Sequence, residues 1–201
     1  MTTTTRDKLV QEAEILFADK GFYGTSISGV ATQLDLTKQG LLHYFPSKEK
    51  LYGVVLEDAA TYLISRIDRA LEEKLNPQEQ LLAVLESFAE SDERMVRVSR
   101  LFVRELLDNP ERANSSKHWV LAPLLGKIED IIKRGQKEGY FKPVHPIAFI
   151  YHILGAQQYF IVSLPTLQRI HSKRQYKSHI DNHFSETIRI IKCTLLINPD
   201  D

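Results

Sequence analysis

Apolar residues recur at helical spacing through almost the whole chain, and no stretch alternates as a half-buried strand or signals a hairpin. The helical pattern is cut by capping residues, glycines and prolines, which confine the chain to an all-α fold. The first helix is expected from about Thr5 to Lys20, with Leu9, Ala13, Leu16 and Phe17 as its apolar stripe. Glu12 and Glu14 fall off that stripe, and Gly21 stands where a C-cap glycine belongs. Thr25 or Ser26 can cap a short second helix that ends near Leu34, and Thr37 a third that runs to about Phe45. After Pro46, Ser47 opens a long fourth helix to about Leu75, marked by Leu51, Val55, Ala59, Leu63, Ile67 and Leu71. Asn76, Pro77 and Glu79 together form a helix-start signal. The helix that carries "DERMVRVSRLFVRELL" stops at Asn109-Pro110, and "ERANSSK" reads as loop. Further helices are expected from about Lys117 to Glu138, from Pro146 to Pro165, and from Ser178 to Ile197. The polar, basic stretch between the last two reads as loop or helix edge.

The chain has 201 residues, 43% hydrophobic and 26% charged, which is ordinary for a soluble globular protein. It has no run of eighteen apolar residues and no apolar signal core at its start, so the expectation is an unprocessed cytoplasmic protein without a membrane partner. The one cysteine, Cys193, cannot close an internal disulfide. No nucleophile–base pair, phosphate loop or metal signature stands out, so neither an enzyme nor a bound cofactor is expected. His179 and His183 have the spacing of a zinc pair, with Asp181 near, but lack an evident third ligand and read as a solvated helix start.

The segment "LTKQGLLHYFPSKEKL", residues 36–51, is too polar for a helix that only packs. Leu41, Leu42 and Phe45 can reach a core, while Thr37, Lys38, Gln39 and His43 lie largely on other faces. Two short helices joined by a tight turn are the sequence form of a helix-turn-helix, whose second helix enters the DNA major groove. Glutamine pairs bidentately with adenine and lysine reaches guanine or phosphate. Thr25, Ser26, Thr37, His43, Tyr44 and Lys48 suit phosphate oxygens, and Gly40 permits close approach to a groove wall. From periodicity alone, a helical corner with a solvated polar face is the competing reading. Net charge does not help, because it is zero overall. Residues 1–60 carry six Lys/Arg (6, 8, 20, 38, 48, 50) against eight Asp/Glu (7, 12, 14, 19, 35, 49, 57, 58).

The block from Arg6 to Leu51 resembles the N-terminal domain of TetR-family transcriptional regulators. Its matching features include Gly21-Phe22, Thr25-Ser26-Ile27, Leu36-Thr37-Lys38 and, above all, His43-Tyr44-Phe45-Pro46-Ser47-Lys48-Glu49. The resemblance implies a helix-turn-helix domain over residues 1–50 and a ligand-binding and dimerisation domain over residues 51–201. It further implies double-stranded DNA with a palindromic operator as partner, a homodimer, and a small-molecule effector that releases a repressor. By position, Thr25 or Ser26, Thr37, Lys38, Gln39, His43, Tyr44 and Lys48 match the family's DNA contacts. Three positions depart from the pattern. Asp35 replaces the turn glycine, Leu42 replaces a DNA-facing tyrosine, and Gln39 stands where glycine is common. A helical protein-interaction module that kept the fold without DNA binding is the alternative that Leu42 keeps open.

In the second domain, Ile147, Ile150, Tyr151, Leu154, Gln158 and Ile161 lie along one helix, and Ile180, Phe184, Ile188, Ile191 and Leu195 along another. The resemblance implies a two-fold four-helix interface from this pair, with a purely intramolecular core as the rival. Ligand candidates are Phe88, Phe102, Arg104, His118, Trp119, Tyr151, His152, Gln157, Tyr159 and Phe160, with His118 and Trp119 favoured for a pocket mouth.

Overall fold

A computed structural model describes residues 4–74, 76–89, 92–108 and 120–197. They form helices α1 (Thr5–Gly24), α2 (Ile27–Thr32), α3 (Lys38–Tyr44), α4 (Lys48–Leu71), α5 (Pro77–Ala89), α6 (Glu93–Asp108), α7 (Ala122–Lys137), α8 (Pro146–Ile170) and α9 (Lys173–Leu195). Among the described residues there is no strand, only an isolated bridge between Phe141 and Leu196. The contacts divide the chain into two compact units, residues 1–62 with 92–120 and residues 63–91 with 121–201. The start of α4 and the whole of α6 fall in the same compact unit as the N-terminal helices.

In the first unit the caps expected at Ser26, Thr37 and Ser47 are present, and Thr4 adds one at the start of α1. The Thr4 hydroxyl accepts from Asp7 N, Ser26 from Gly29 N, Thr37 from Gly40 N and Ser47 from Lys50 N. Each satisfies one of the orphan donors of a helix start. Gly21 breaks the helical path at φ 74°, so the chain bends where the sequence placed a helix end, although helical turns resume to Gly24. Asp35 takes φ 54° in the turn between α2 and α3.

The main surprise in this unit is Glu14. It is buried under Arg94 and Arg97, at 3.0 and 3.2 Å, rather than lying on a solvated face. Arg94 also pairs with Asp58 at 2.5 Å and stacks over Tyr62 at 4.6 Å. Arg104 donates to the carbonyls of Ala18 and Asp19 at 3.0 and 2.8 Å. This polar seam runs along an apolar contact in which Phe17, Val98, Leu101 and Phe102 are all buried.

In the second unit, α5 packs on α7, α7 on α8, and α8 on α9. The Asn76 side chain caps α5 through Glu79 N at 2.8 Å. Gly139, at φ 82°, ends α7. Three expected boundaries move, the first being the start of α7, at Ala122 rather than near Lys117. Pro165 does not end α8, which continues to Ile170, and α9 begins at Lys173 rather than at Ser178. A proline inside a helix loses its own N–H bond and its ring crowds the carbonyl four residues back, here that of Ile161, yet helical turns continue beyond it to Ile170. Ser172 and Gln175 form a capping box, which turns the supposed loop into a helix start.

Helix α8 is long and apolar enough, at mean hydropathy 1.4 over its best window, to cross a membrane by length and composition. Polar residues such as His152, Gln157 and Gln158 interrupt it, and Ile150, Ile153, Ile161 and Leu164 pack inward against the rest of the unit. Its opposite face carries Tyr151 and Tyr159, 57% and 77% exposed. The expected single stripe is thus two faces, one in the core and one uncovered.

Candidate DNA-reading and effector sites

Helix α3 is anchored from beneath. Leu41 is fully buried and Phe45 almost so, and both lie toward the core of the first unit. Lys38, Gln39, His43 and Tyr44 stand exposed on the remaining faces, and Thr37 is exposed at the N-cap. Seven residues are too few for a stable isolated helix, so the Thr37 cap and the Leu41 and Phe45 anchors hold the exposed face in place. His43 and Tyr44 meet edge to face at 5.7 Å. Lys48 is half-buried, with its ammonium 4.3 Å from the centre of the Phe22 ring, and Arg6 sits 5.1 Å from the centre of the Phe45 ring. These aromatic seats position two cations beside α3 and the start of α4. Arg6, in the first turn of α1, was not among the expected contacts, although it is one of the residues that carry the family resemblance.

Thr25 behaves differently from its neighbours. It is 4% exposed, and its hydroxyl lies 3.0 Å from the Leu16 carbonyl and 2.9 Å from that of Gly21. Thr25 fastens the chain entering α2 to the end of α1, and that hydroxyl is not on the surface. Of the alternative pair, Ser26 is the exposed one and caps α2. Gly40 is half-buried, and a Cβ there would lie 3.4 Å from the Thr37 hydroxyl.

The ten effector candidates do not form one cluster. Phe102 and Arg104 belong to the first unit, where one is core and the other binds α1 carbonyls. Phe88 is buried in the second unit beside a cavity of about 10 Å³ walled by Val84, Ile128 and Ile153, among others, which has room for about one water. Tyr151 and His152 are exposed on the outer face of α8. Gln157 is 4% exposed on the inner face, and its side-chain nitrogen has no hydrogen-bond partner. Tyr159 and Phe160 line an open groove of about 900 Å³ between α8 and α9. There, Phe160 stacks on His183 at 3.8 Å and His171 meets His179 at 4.4 Å. Burial pushes the His183 imidazole below its usual range. His118 and Trp119 lie outside the described residues. No group of three or more metal-binding side chains converges among the described residues.

An exposed polar face on the second helix of a capped, closely turned pair is the arrangement of a helix-turn-helix DNA-binding protein. The comparisons with known proteins agree. The family described as "Bacterial regulatory proteins, tetR family" matches residues 9–55, and the "Tetracyclin repressor-like, C-terminal domain" matches residues 77–188. The chain belongs to the TetR family of transcriptional regulators.

It is 28% identical over 159 residues to the "HTH-type transcriptional repressor KstR2" of Mycolicibacterium smegmatis, covering 74% of this chain and 73% of that one. With the "HTH-type transcriptional regulator RutR" of Escherichia coli K12 it shares 26% identity over 154 residues, covering 77% and 72%. Among solved structures, a putative transcriptional regulator from Saccharomonospora viridis in complex with choline superposes with a TM-score of 0.77. Identity there is 16%, over 95% of this chain and 97% of that one. A TetR regulator from Chloroflexus aurantiacus gives a TM-score of 0.71 at 20% identity, over 96% of each chain.

Proposed function

We propose that the protein is a cytoplasmic, homodimeric repressor that a small molecule releases from a palindromic operator. Lys38 and Gln39 read base edges in the major groove. Ser26, Thr37, His43, Tyr44 and Lys48 hold phosphates on either side, and Gly40 lets the helix come close. The observation that carries this reading is the exposure of Lys38, Gln39 and His43 on a helix whose Leu41 is fully buried.

Two copies are needed because half-sites on a two-fold operator lie about 34 Å apart. The uncovered faces of α8 and α9, with Tyr151, Tyr159 and Ile190 exposed, supply the contact between them. The effector enters the second unit, where the buried amide of Gln157 offers an unpaired donor. A coupling of about 1–3 kcal/mol would weaken operator binding roughly 5- to 150-fold. The repressor sense is supported by the printed name of the KstR2 relative.

The test begins with selection of binding sites from a random DNA pool. An enriched palindrome is expected, bound by two chains. The Lys38→Ala/Gln39→Ala double variant should lose that site while keeping its helical circular dichroism and its dimer. Unchanged affinity in the variant would remove α3 from the reading role. Absence of any enriched sequence would leave the protein-interaction reading in its place.

A further inference from the structure

A second pocket lies wholly within the first unit, away from α8 and α9 in the chain. It has a volume of about 430 Å³, within the range of small-molecule sites. Three rings wall it, those of Phe22, Tyr23 and Tyr52. Phe22 meets Tyr52 at 5.0 Å with a 57° tilt and Tyr23 edge to face at 5.4 Å, so the rings turn different faces toward a common space. Three carboxylates complete the wall, those of Glu49, Glu105 and Asp108. Glu105 is 4% exposed and accepts the Tyr52 hydroxyl at 2.7 Å, which fixes ring and carboxylate together.

No lysine, arginine or histidine is among the described residues that line the pocket. Among the described residues, the nearby cations are Lys48, over the Phe22 ring, and Arg104, whose guanidinium lies beside Gly21 as the Asp108 carboxylate does. The carboxylates of the wall outnumber these two. Aromatic faces carry a negative quadrupole, and rings with carboxylates at the rim are the chemistry that holds organic ammonium ions. Lys48 already uses one of these rings in that way. The carboxylates do not converge as a metal cluster, so a hard cation does not fit.

We infer that the aromatic and acidic pocket formed by the end of α1, the start of α4 and the end of α6 binds a small organic cation of the alkylammonium class. This site is separate from any effector site in the second unit, and its test uses no DNA.

Gly53 makes the test clean. It lines the pocket on α4, and a Cβ there would meet nothing within 4 Å. Gly53→Leu therefore fills the space with a better helix former and leaves the fold intact. The full chain is titrated with tetramethylammonium chloride at constant ionic strength, by calorimetry and saturation-transfer NMR. Saturable uptake of one cation per chain is expected, with a dissociation constant of about 1 mM. Tert-butanol, of similar bulk and no charge, should not compete. Gly53→Leu should abolish uptake without lowering the melting temperature, and Phe22→Leu should weaken it at least tenfold. Absence of saturable uptake, equal uptake of tert-butanol, or undiminished uptake by Gly53→Leu would each overturn the assignment.

Discussion

The Thr25 hydroxyl has one proton and two carbonyl oxygens within reach, those of Leu16 and Gly21. Thr25→Val keeps the shape and removes the donor of the buried bond to the Gly21 carbonyl. The expected cost is about 1–2 kcal/mol in urea denaturation, with operator affinity at the same folded fraction unchanged. A fall in affinity without a fall in stability would return Thr25 to the DNA surface. The sequence showed that one of Thr25 and Ser26 caps α2 but not which one faces inward, because burial is set by α1 and the cap chemistry of the two is alike. Asp35 was legible, since aspartate tolerates the left-handed region that the turn requires, and it adopts φ 54°. Glu14 was not. An acid beside an apolar stripe reads as solvated until the two arginines that cover it, 80 and 83 residues away in the chain, are brought over it.

Among the elements, the helices and most of their starts were readable because caps act within three or four residues, the Ser172–Gln175 start of α9 being the one passed over. What each helix faces was not. Periodicity gives α6 an apolar side, but nothing local tells that this side packs on α1. Gly135, inside α7, looks like a weak point in a helix, yet a Cβ there would fall 2.1 Å from the Phe141 ring. The glycine is needed by a contact six residues away that turns around Gly139. The α8–α9 pair carries a consequence for pH. His183 is partly buried against Phe160, its Nε2 has no hydrogen-bond partner, and desolvation lowers its pKa. Its neutral form is therefore the stable one in the fold. That contribution is complete above the unfolded value of about 6.5 and is lost as pH falls through the lower folded value. Melting temperature should accordingly drop between pH 7.5 and 5.5, and His183→Phe, which keeps the stacked ring, should show a smaller drop. An identical drop in the variant would assign the effect to other groups.

At the scale of the whole molecule, zero net charge and DNA binding are compatible only if the cations that matter are few and well placed. The described N-terminal residues supply Arg6 on Phe45 and Lys48 on Phe22, together with exposed Lys38 and Lys50. The acid most central to this unit, Glu14, is buried beneath its arginines and so adds little repulsion at the surface. In the proposed dimer, two heads acting together would neutralise at most about eight phosphates, each releasing close to one counterion. In the same proposal the other contacts come from uncharged donors, namely Ser26 and Thr37 with the helix starts that they cap, and Tyr44. These would bring no counterion release, so their contribution to affinity would not vary with salt. The logarithm of the operator binding constant should therefore fall with the logarithm of salt concentration at a slope shallower than about −8. Binding isotherms by fluorescence anisotropy across a salt series measure that slope directly. Lys48→Met, which keeps a chain against Phe22 and removes the charge, should flatten it by about 2 in the dimer, one unit for each copy. A steeper parent slope would require cations beyond α3 and its flanks, and an unchanged slope in the variant would take Lys48 off the phosphate backbone.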